Sequence, residues 1–547
     1  MDRRNLLRRL AQTVPAAWLP GMLASRQLRP VAATSPFQPT WESLATYQTP
    51  DWFRDAKFGI WAHWGPQCQP EHGDWYGRLM YEEGSDDYNF HVAKYGHPSK
   101  VGFKDVIHAW KAESWNPDEL LDFYQKAGAR YFVALANHHD NFDLYPSQHQ
   151  PWNSTHLGPR KDLIGGWAAA AKKYGLRFGV SVHAAHAWAW YETAQRADKA
   201  GPLAGVPYDG RLTAVAGQGQ WWQGYDPQAL YAQNHAPSPP PTGGNGQLQW
   251  DWGDHASVPD KAYCEKFYRR TVELLDRYEP DFVYFDDTAL PLWPVSDVGL
   301  QLAAHYYNRN RQRHGGRLEG VITGKVLTEL QRRCMVWDIE RGQSNRIEPL
   351  PWQADTCLGQ WHYDRRIYND HAYKKPQTVV HTLVDVVSKN GNLLLSVPVR
   401  GNGTIDEQER AIVTDIGRWM QANGESIYGT WPWQIFGEGL AMASAAQLTA
   451  QGFNEGKGAP LGAQDIRFTT KGNVLYATAL GWPSGGQLLI ASLAEGNSLR
   501  PQAVRRIELL GHNGPPLAFE RTPQGLRISL PTSAPAAGLA YVFKIMG

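Results

Sequence analysis

The sequence predicts an α/β chain: a (β/α)8-like (TIM) barrel over residues 40–425, followed by a smaller antiparallel β-sandwich over 430–547. Three observations carry this. Short runs apolar on both faces, of which Phe282-Val283-Tyr284-Phe285 is the clearest, read as strands of a covered parallel sheet. Strand, polar loop, helix, Gly and strand recur in that order for several hundred residues, the pattern of parallel strands with crossover helices. After Asn423-Gly424-Glu425 the apolar period falls from helical towards two.

The elements follow in order. Phe58 to Ala62 is a first strand and ends at His63-Trp64-Gly65. An aromatic loop holds Trp75 and Tyr76. Asn116-Pro117-Asp118 caps a helix that stops at Gly128 with Lys126 in its last turn. The strand at 131–136 ends in Asn137-His138-His139-Asp140, and a helix from Asp162 runs to Tyr174 and Gly175. A third strand, 177–182, ends at His183. The span from about 193 to 259 breaks the rhythm, and Pro237-Ser238-Pro239-Pro240-Pro241 inside it excludes regular structure, so it reads as a long excursion at one face. Helical spacing over 262–278 then feeds the strand that ends at Asp286. Strands are expected at 320–324, 335–340 and 392–398, with helices through 383–387 and 406–420. Beyond these, 465–469, 474–478, 487–490, 526–530 and 540–543 read as antiparallel strands with Gly-rich turns.

Composition bounds the function. Net charge is +1 with no basic block, which leaves no nucleic-acid footprint. The 24 Trp and 25 Tyr suit a cleft for sugars, whose apolar C–H faces stack on aromatic rings. Arg3-Arg4 and Arg8-Arg9 precede an apolar stretch ending near Leu23, and Val31-Ala32-Ala33 offers small residues for cleavage. Residues 1–33 therefore read as a twin-arginine-like export signal, which implies a periplasmic or secreted bacterial protein. No later stretch is long and apolar enough to span a bilayer. Cys68, Cys264, Cys334 and Cys357 show no paired spacing and are expected unpaired.

In such barrels chemistry collects at the carboxyl ends of the strands, which is where Asp286 lies. Asp287 is a poor partner, because adjacent strand residues face opposite ways. Adjacent histidines on a strand diverge likewise, and no HxH or HxxxH spacing supports zinc, so no metal is expected.

Several ordered motifs resemble the family 29 glycoside hydrolases, the α-L-fucosidases. They are Lys57-Phe58-Gly59-Ile60 with His63-Trp64-Gly65; His138-His139-Asp140 with Phe142; Trp152-Asn153-Ser154; and Gly158-Pro159-Arg160-Lys161-Asp162. Ser388-Lys389-Asn390-Gly391-Asn392 and Asn423-Gly424-Glu425-Ser426 continue the series. The resemblance implies a retaining exo-glycosidase that removes terminal α-L-fucosyl residues from fucosylated oligosaccharides or glycoconjugates, without a cofactor. It places the nucleophile at Asp286, and the stretch before Trp352-Gln353-Ala354-Asp355 points to Glu340 as acid/base, with Asp338 and Glu348 as rivals. Glu340 has an alternative role as a rim partner of Arg341 or Arg346. His63, His138 and His139 resemble the family's sugar-hydroxyl ligands, and Trp64, Trp75 and Tyr76 would wall the pocket. The chain departs from the family at Ser181-Val182-His183, where many members have Tyr-Tyr-Ser, and at Tyr284, where Trp is frequent. His183 is expected to replace the lost hydroxyl as a sugar ligand, with Tyr284 beside it. Two other readings stay open: a retaining glycosidase for a related sugar such as galactose, and a carbohydrate-binding barrel without catalysis.

Overall fold

The computed structural model describes residues 35–232, 235–238, 252, 256–443, 454–458, 460–499, 503–536 and 538–547. The export signal read at 1–33, and most of the Pro-rich stretch after Pro237, lie outside them. Eight parallel strands close into a barrel in chain order: β1 (Phe58–Ala62), β2 (Tyr131–Asn137), β3 (Arg177–Val182), β4 (Phe282–Phe285), β5 (Val321–Gly324), β6 (Val336–Glu340), β7 (Trp352–Cys357) and β8 (Gly391–Ser396). β8 returns to β1 with Phe58 beside Leu393, which closes the ring.

The helices begin where side chains satisfy their first backbone N–H groups. Helix α1 (Pro117–Lys126) is capped by Asn116, α2 (Leu163–Lys173) by Asp162 and α3 (Lys261–Tyr278) by Asp260, each accepting from a backbone N–H three residues on. Gly128 and Gly175 follow α1 and α2 with φ of 101° and 69°, the left-handed conformation that ends a helix and favours glycine. Between β4 and β5 runs α4 (Val298–Arg313), which the sequence reading passed over. Its apolar positions are interrupted by Asn and Arg, so no single stripe marks it. Two further helices, α5 (Pro376–Ser388) and α6 (Glu407–Asn423), flank β8.

Strand β7 corrects the sequence reading, which took Trp352-Gln353-Ala354-Asp355-Thr356 only as a motif. All six of its residues are buried, yet half are polar. Gln353 receives the Tyr131 hydroxyl at 3.0 Å and donates to Asp338 at 2.7 Å, so the barrel interior is hydrogen-bonded rather than oily here. On β1, Gly59 lies beside Tyr131 of β2. A Cβ on Gly59 would meet the Tyr131 ring at 2.3 Å, so the bare backbone makes room for that ring.

The carboxyl-terminal region forms two facing antiparallel sheets. The larger runs β13 (Arg506–Leu509), β16 (Tyr541–Met546), β11 (Val474–Ala479), β10 (Ile466–Lys471) and β9 (Trp431–Glu438). The smaller runs β12 (Gln487–Ile490), β15 (Gly525–Ser529) and β14 (Phe519–Thr522). Phe468, Leu475 and Phe543 of the first sheet pack with Ile490, Leu526 and Ile528 of the second. The expected strands are all present; β9, β13 and β14, more exposed and charged, are additional. The sheets join the barrel through Trp419 of α6, whose indole donates to the Ala540 carbonyl at 2.8 Å, and through Arg467, which donates to Asp385 of α5 at 2.5 Å. The four cysteines are buried and form no disulfide. Among the described residues no helix is long and apolar enough to cross a membrane.

Candidate active site

A cavity of about 370 Å³ opens at the carboxyl ends of the barrel strands. Asp286 follows β4, and its backbone N–H bonds to Val182 of β3 at 3.2 Å, which fixes where the side chain enters. Glu340 is the last residue of β6. Lys325 follows β5, between them, and its ammonium ion-pairs with both carboxylates at once. The two near oxygens are thus separated by no more than two ion-pair lengths, compatible with the roughly 5–5.5 Å carboxyl spacing of retaining glycosidases.

These three groups move each other's protonation. Burial pushes Asp286 up, but the Lys325 charge and hydrogen bonds from His139 and His183 outweigh it and hold the carboxyl well below its ordinary range. Burial and then the Asp286 charge raise Glu340 above its usual value against the pull of Lys325. Their surroundings thus drive the two carboxyls in opposite directions, Asp286 down and Glu340 up. Below them Tyr284 donates to Asp355 at 2.8 Å. Burial, with Asp338 and Glu340 nearby, holds Asp355 well above the usual carboxyl value, and burial brings Asp338 to about 6.

The histidines gather on one wall. His183 donates from Nδ1 to Asp286 at 2.9 Å, leaving Nε2 buried without a partner; burial lowers it to about 4, so the ring is neutral in ordinary buffers. His139 lies 3.1 Å from Asp286 through Nε2 and 2.8 Å from the His183 carbonyl through Nδ1. His138 and His139 do not diverge as expected: their centroids are 4.3 Å apart and both line the cavity. β2 ends at Asn137, so the pair lies in the turn, where strand alternation no longer applies. Asn137 holds that turn, accepting from the His183 and Ala184 N–H groups and donating to Asp143 at 2.9 Å. Among the described residues, two clusters of three imidazoles have ring nitrogens within 4.8 Å of one another and could hold a metal ion: His63, His138 and His362, and His138, His139 and His183.

Of the expected wall residues, Trp75 and Tyr284 line the cavity and Trp64 and Tyr76 do not. His63 turns inward after β1, so Trp64 turns outward; its indole donates to the Arg400 carbonyl at 2.9 Å and packs edge-on against Trp110. The Tyr76 hydroxyl is spent on His91 Nδ1 at 2.7 Å. Asp287 accepts from the backbone N–H groups of Thr288 and Leu292, bracing the turn after Asp286. Glu348 is turned away into Ser344, Arg332 and Arg346, and Arg341 pairs with Glu455 rather than with Glu340. Asp338 lies two residues before Glu340 on the same face and takes its hydrogen bond from Gln353 beneath the cavity.

Lys325, Trp61, Asp74, Trp361 and His362 also line the cavity, and apart from Lys325 no sequence pattern marks them. Lys325 directly follows the expected strand at 320–324, so the strand-end rule reaches it. His362 lies beyond β7, and without that strand nothing pointed to it.

A closed parallel barrel with opposed carboxyls under one ammonium, facing rings suited to a pyranose, defines a glycoside hydrolase. Comparison with known proteins makes this particular. The family described as "Alpha-L-fucosidase" matches residues 24–425, and "Alpha-L-fucosidase C-terminal domain" matches 461–546. The tissue alpha-L-fucosidase of Rattus norvegicus is 25% identical over 513 residues, covering 91% of this chain and 89% of the rat protein. Plasma alpha-L-fucosidase of Homo sapiens is 24% identical over 513 residues, 92% of this chain and 90% of its own. Among solved structures, a Thermotoga maritima alpha-fucosidase bound to a mechanism-based inhibitor superposes with a TM-score of 0.67 at 24% identity, covering 93% of this chain and all (100%) of its own. The chain belongs to the α-L-fucosidase family, glycoside hydrolase family 29.

Proposed function

We propose that the protein is an exported, retaining exo-α-L-fucosidase in which Asp286 is the nucleophile and Glu340 the acid/base. The observation that carries this is the shared grip of Lys325 on the two carboxylates at the ends of β4 and β6. In the first step Asp286 attacks the anomeric carbon while the Glu340 proton passes to the departing glycosidic oxygen, leaving a fucosyl ester on Asp286. In the second, Glu340 takes a proton from water as the water oxygen attacks the same carbon, and the ester bond to Asp286 breaks. Two inversions give L-fucose with retained configuration. Lys325 keeps Asp286 ionised for attack and stabilises it again as a leaving group.

His63, His138, His139 and His183 serve the sugar hydroxyls, and Trp75 and Tyr284 its apolar faces. Catalysis needs no cofactor in this scheme. Residues 1–33 direct export to the periplasm or medium, 40–425 form the catalytic domain and 430–547 the supporting sandwich. The substrates are fucosylated oligosaccharides or glycoconjugates. Incubation with 2-deoxy-2-fluoro-α-L-fucosyl fluoride followed by peptide mapping tests the assignment. A fluorofucosyl adduct on the peptide holding Asp286 is expected; turnover with no adduct, or an adduct elsewhere, overturns it.

A further inference from the structure

His362 has no role in the scheme above, yet it is buried, lines the cavity and keeps Nε2 without a partner. Its Nδ1 lies 3.2 Å from Asp74 Oδ1. Asp74 also accepts the backbone N–H groups of Trp361 at 3.1 Å and His362 at 2.6 Å. A carboxylate only accepts, so Nδ1 carries the ring proton and Nε2 presents a lone pair. His138 is set the opposite way. Gln67 Nε2 lies 2.8 Å from its Nδ1 and 3.3 Å from Asp140 Oδ2, so this amide nitrogen donates to both. His138 Nδ1 is therefore an acceptor, and the proton sits on Nε2. His63 has both ring nitrogens buried without a partner and can take either role.

One ring nitrogen from each of His63, His138 and His362 falls within 4.8 Å of the other two. A single atom among them can lie about 2.8 Å from each, the length of a hydrogen bond. Zinc draws imidazole nitrogens to about 2.0–2.1 Å and needs a lone pair from every ligand. His138 offers a proton instead. A hydroxyl fits all three, donating once and accepting twice.

We propose that His63, His138 and His362 cradle one hydroxyl of the bound sugar, with His362 Nε2 accepting its hydrogen bond and His138 Nε2–H donating to its oxygen. Asp74 acts through His362 as a positioning residue. The inference rests on the fucosidase reading and makes one hydroxyl the most strongly demanded feature of the substrate.

The test compares kcat/KM for an aryl α-L-fucoside with its 2-, 3- and 4-deoxy analogues, in wild type, His362→Phe and His362→Gln. The ratio between enzymes cancels the intrinsic reactivity of each analogue. For one analogue, loss of the hydroxyl should cost wild type at least about tenfold more than it costs His362→Phe. His362→Gln, which retains an acceptor, should recover part of the discrimination. Should the phenyl ring prevent folding, Asp74→Ala takes its place, because it frees the His362 proton to move to Nε2. Equal penalties in wild type and variant for all three analogues overturn the cradle while leaving the fucosidase reading intact. Micromolar Zn²⁺ that inhibits wild type but not His362→Phe also overturns it, as a cation site. A wild type silent on every fucoside defeats the functional reading itself, and the cradle with it.

Discussion

At the scale of single residues, the site works by placing one ammonium between two acids. Lys325 lowers both carboxyls, so its removal should raise both. In Lys325→Met the acid limb of the kcat/KM profile, set by Asp286 losing its proton, moves to higher pH. The alkaline limb, set by Glu340 keeping its proton, moves to higher pH as well. We expect kcat to fall by about 10²–10³ in this variant; unchanged limbs would remove Lys325 from the mechanism. Trp64 is the converse case. An aromatic residue at a strand end suggests a sugar-stacking wall, yet Trp64 faces away from the cavity with its indole bonded to the Arg400 carbonyl. Trp64→Phe should lower stability by about 1–3 kcal/mol, seen as a lower unfolding midpoint, and leave KM unaltered. Asp286 stood out because an apolar run ends at it, whereas Glu340 ends a strand that already holds Asp338 and was pointed to by the resemblance alone. His362 and Asp74 were not, because their importance comes from a contact across 288 positions of chain, which no local pattern records.

At the scale of elements, legibility followed polarity. β4 is four apolar residues between Asp281 and Asp286, so its place and its end could be read. β7 is as buried as β4, but Gln353, Asp355 and Thr356 give it neither an apolar run nor an alternation. Its burial is affordable only because those groups find partners across the barrel, a fact that needs the neighbouring strands in place. The loop after β2 shows how an outer helix governs the site. Arg270 of α3 donates to Asp143 at 2.6 and 3.1 Å and to Asn141 at 2.6 Å, and Asp143 in turn receives Asn137, which carries the histidine turn. Arg270→Met leaves the Asp143 charge buried and short of its main partner, which costs about 3–5 kcal/mol. Denaturant unfolding should register that loss, and kcat/KM of the folded fraction should fall as His138 and His139 lose their setting. A variant as stable as wild type would show that the turn holds without α3.

At the scale of the molecule, the sandwich reads as a brace for the barrel. Asp385 on α5 is buried between Lys389, just past the end of that helix, and Arg467 of β10, and those two charges outweigh burial so that it stays ionised. His381 of the same helix meets the Leu539 carbonyl at 2.9 Å, and Trp419 meets Ala540. The change in apolar period after Asn423 disclosed the second domain, but its attachment rests on charges that look like ordinary surface residues in sequence. Arg467→Met leaves Asp385 with Lys389 as its one charged partner and should cost about 1–3 kcal/mol, lowering the unfolding midpoint of the whole chain. KM for an aryl fucoside should be unchanged in what remains folded. A two-step unfolding curve in wild type, with the sandwich melting first and activity retained, would contradict the bracing role.

The most direct test of the central claim is hydrolysis of an aryl α-L-fucoside by wild type, Asp286→Ala and Glu340→Ala, with and without azide. Azide needs no general base to replace water at the fucosyl-enzyme. The account predicts an Asp286→Ala inactive in water, and a Glu340→Ala whose turnover azide restores with α-L-fucosyl azide, the retained anomer, as product. A Glu340→Ala enzyme of nearly normal activity, or an azide product of β configuration from it, would contradict the roles given to these two carboxyls.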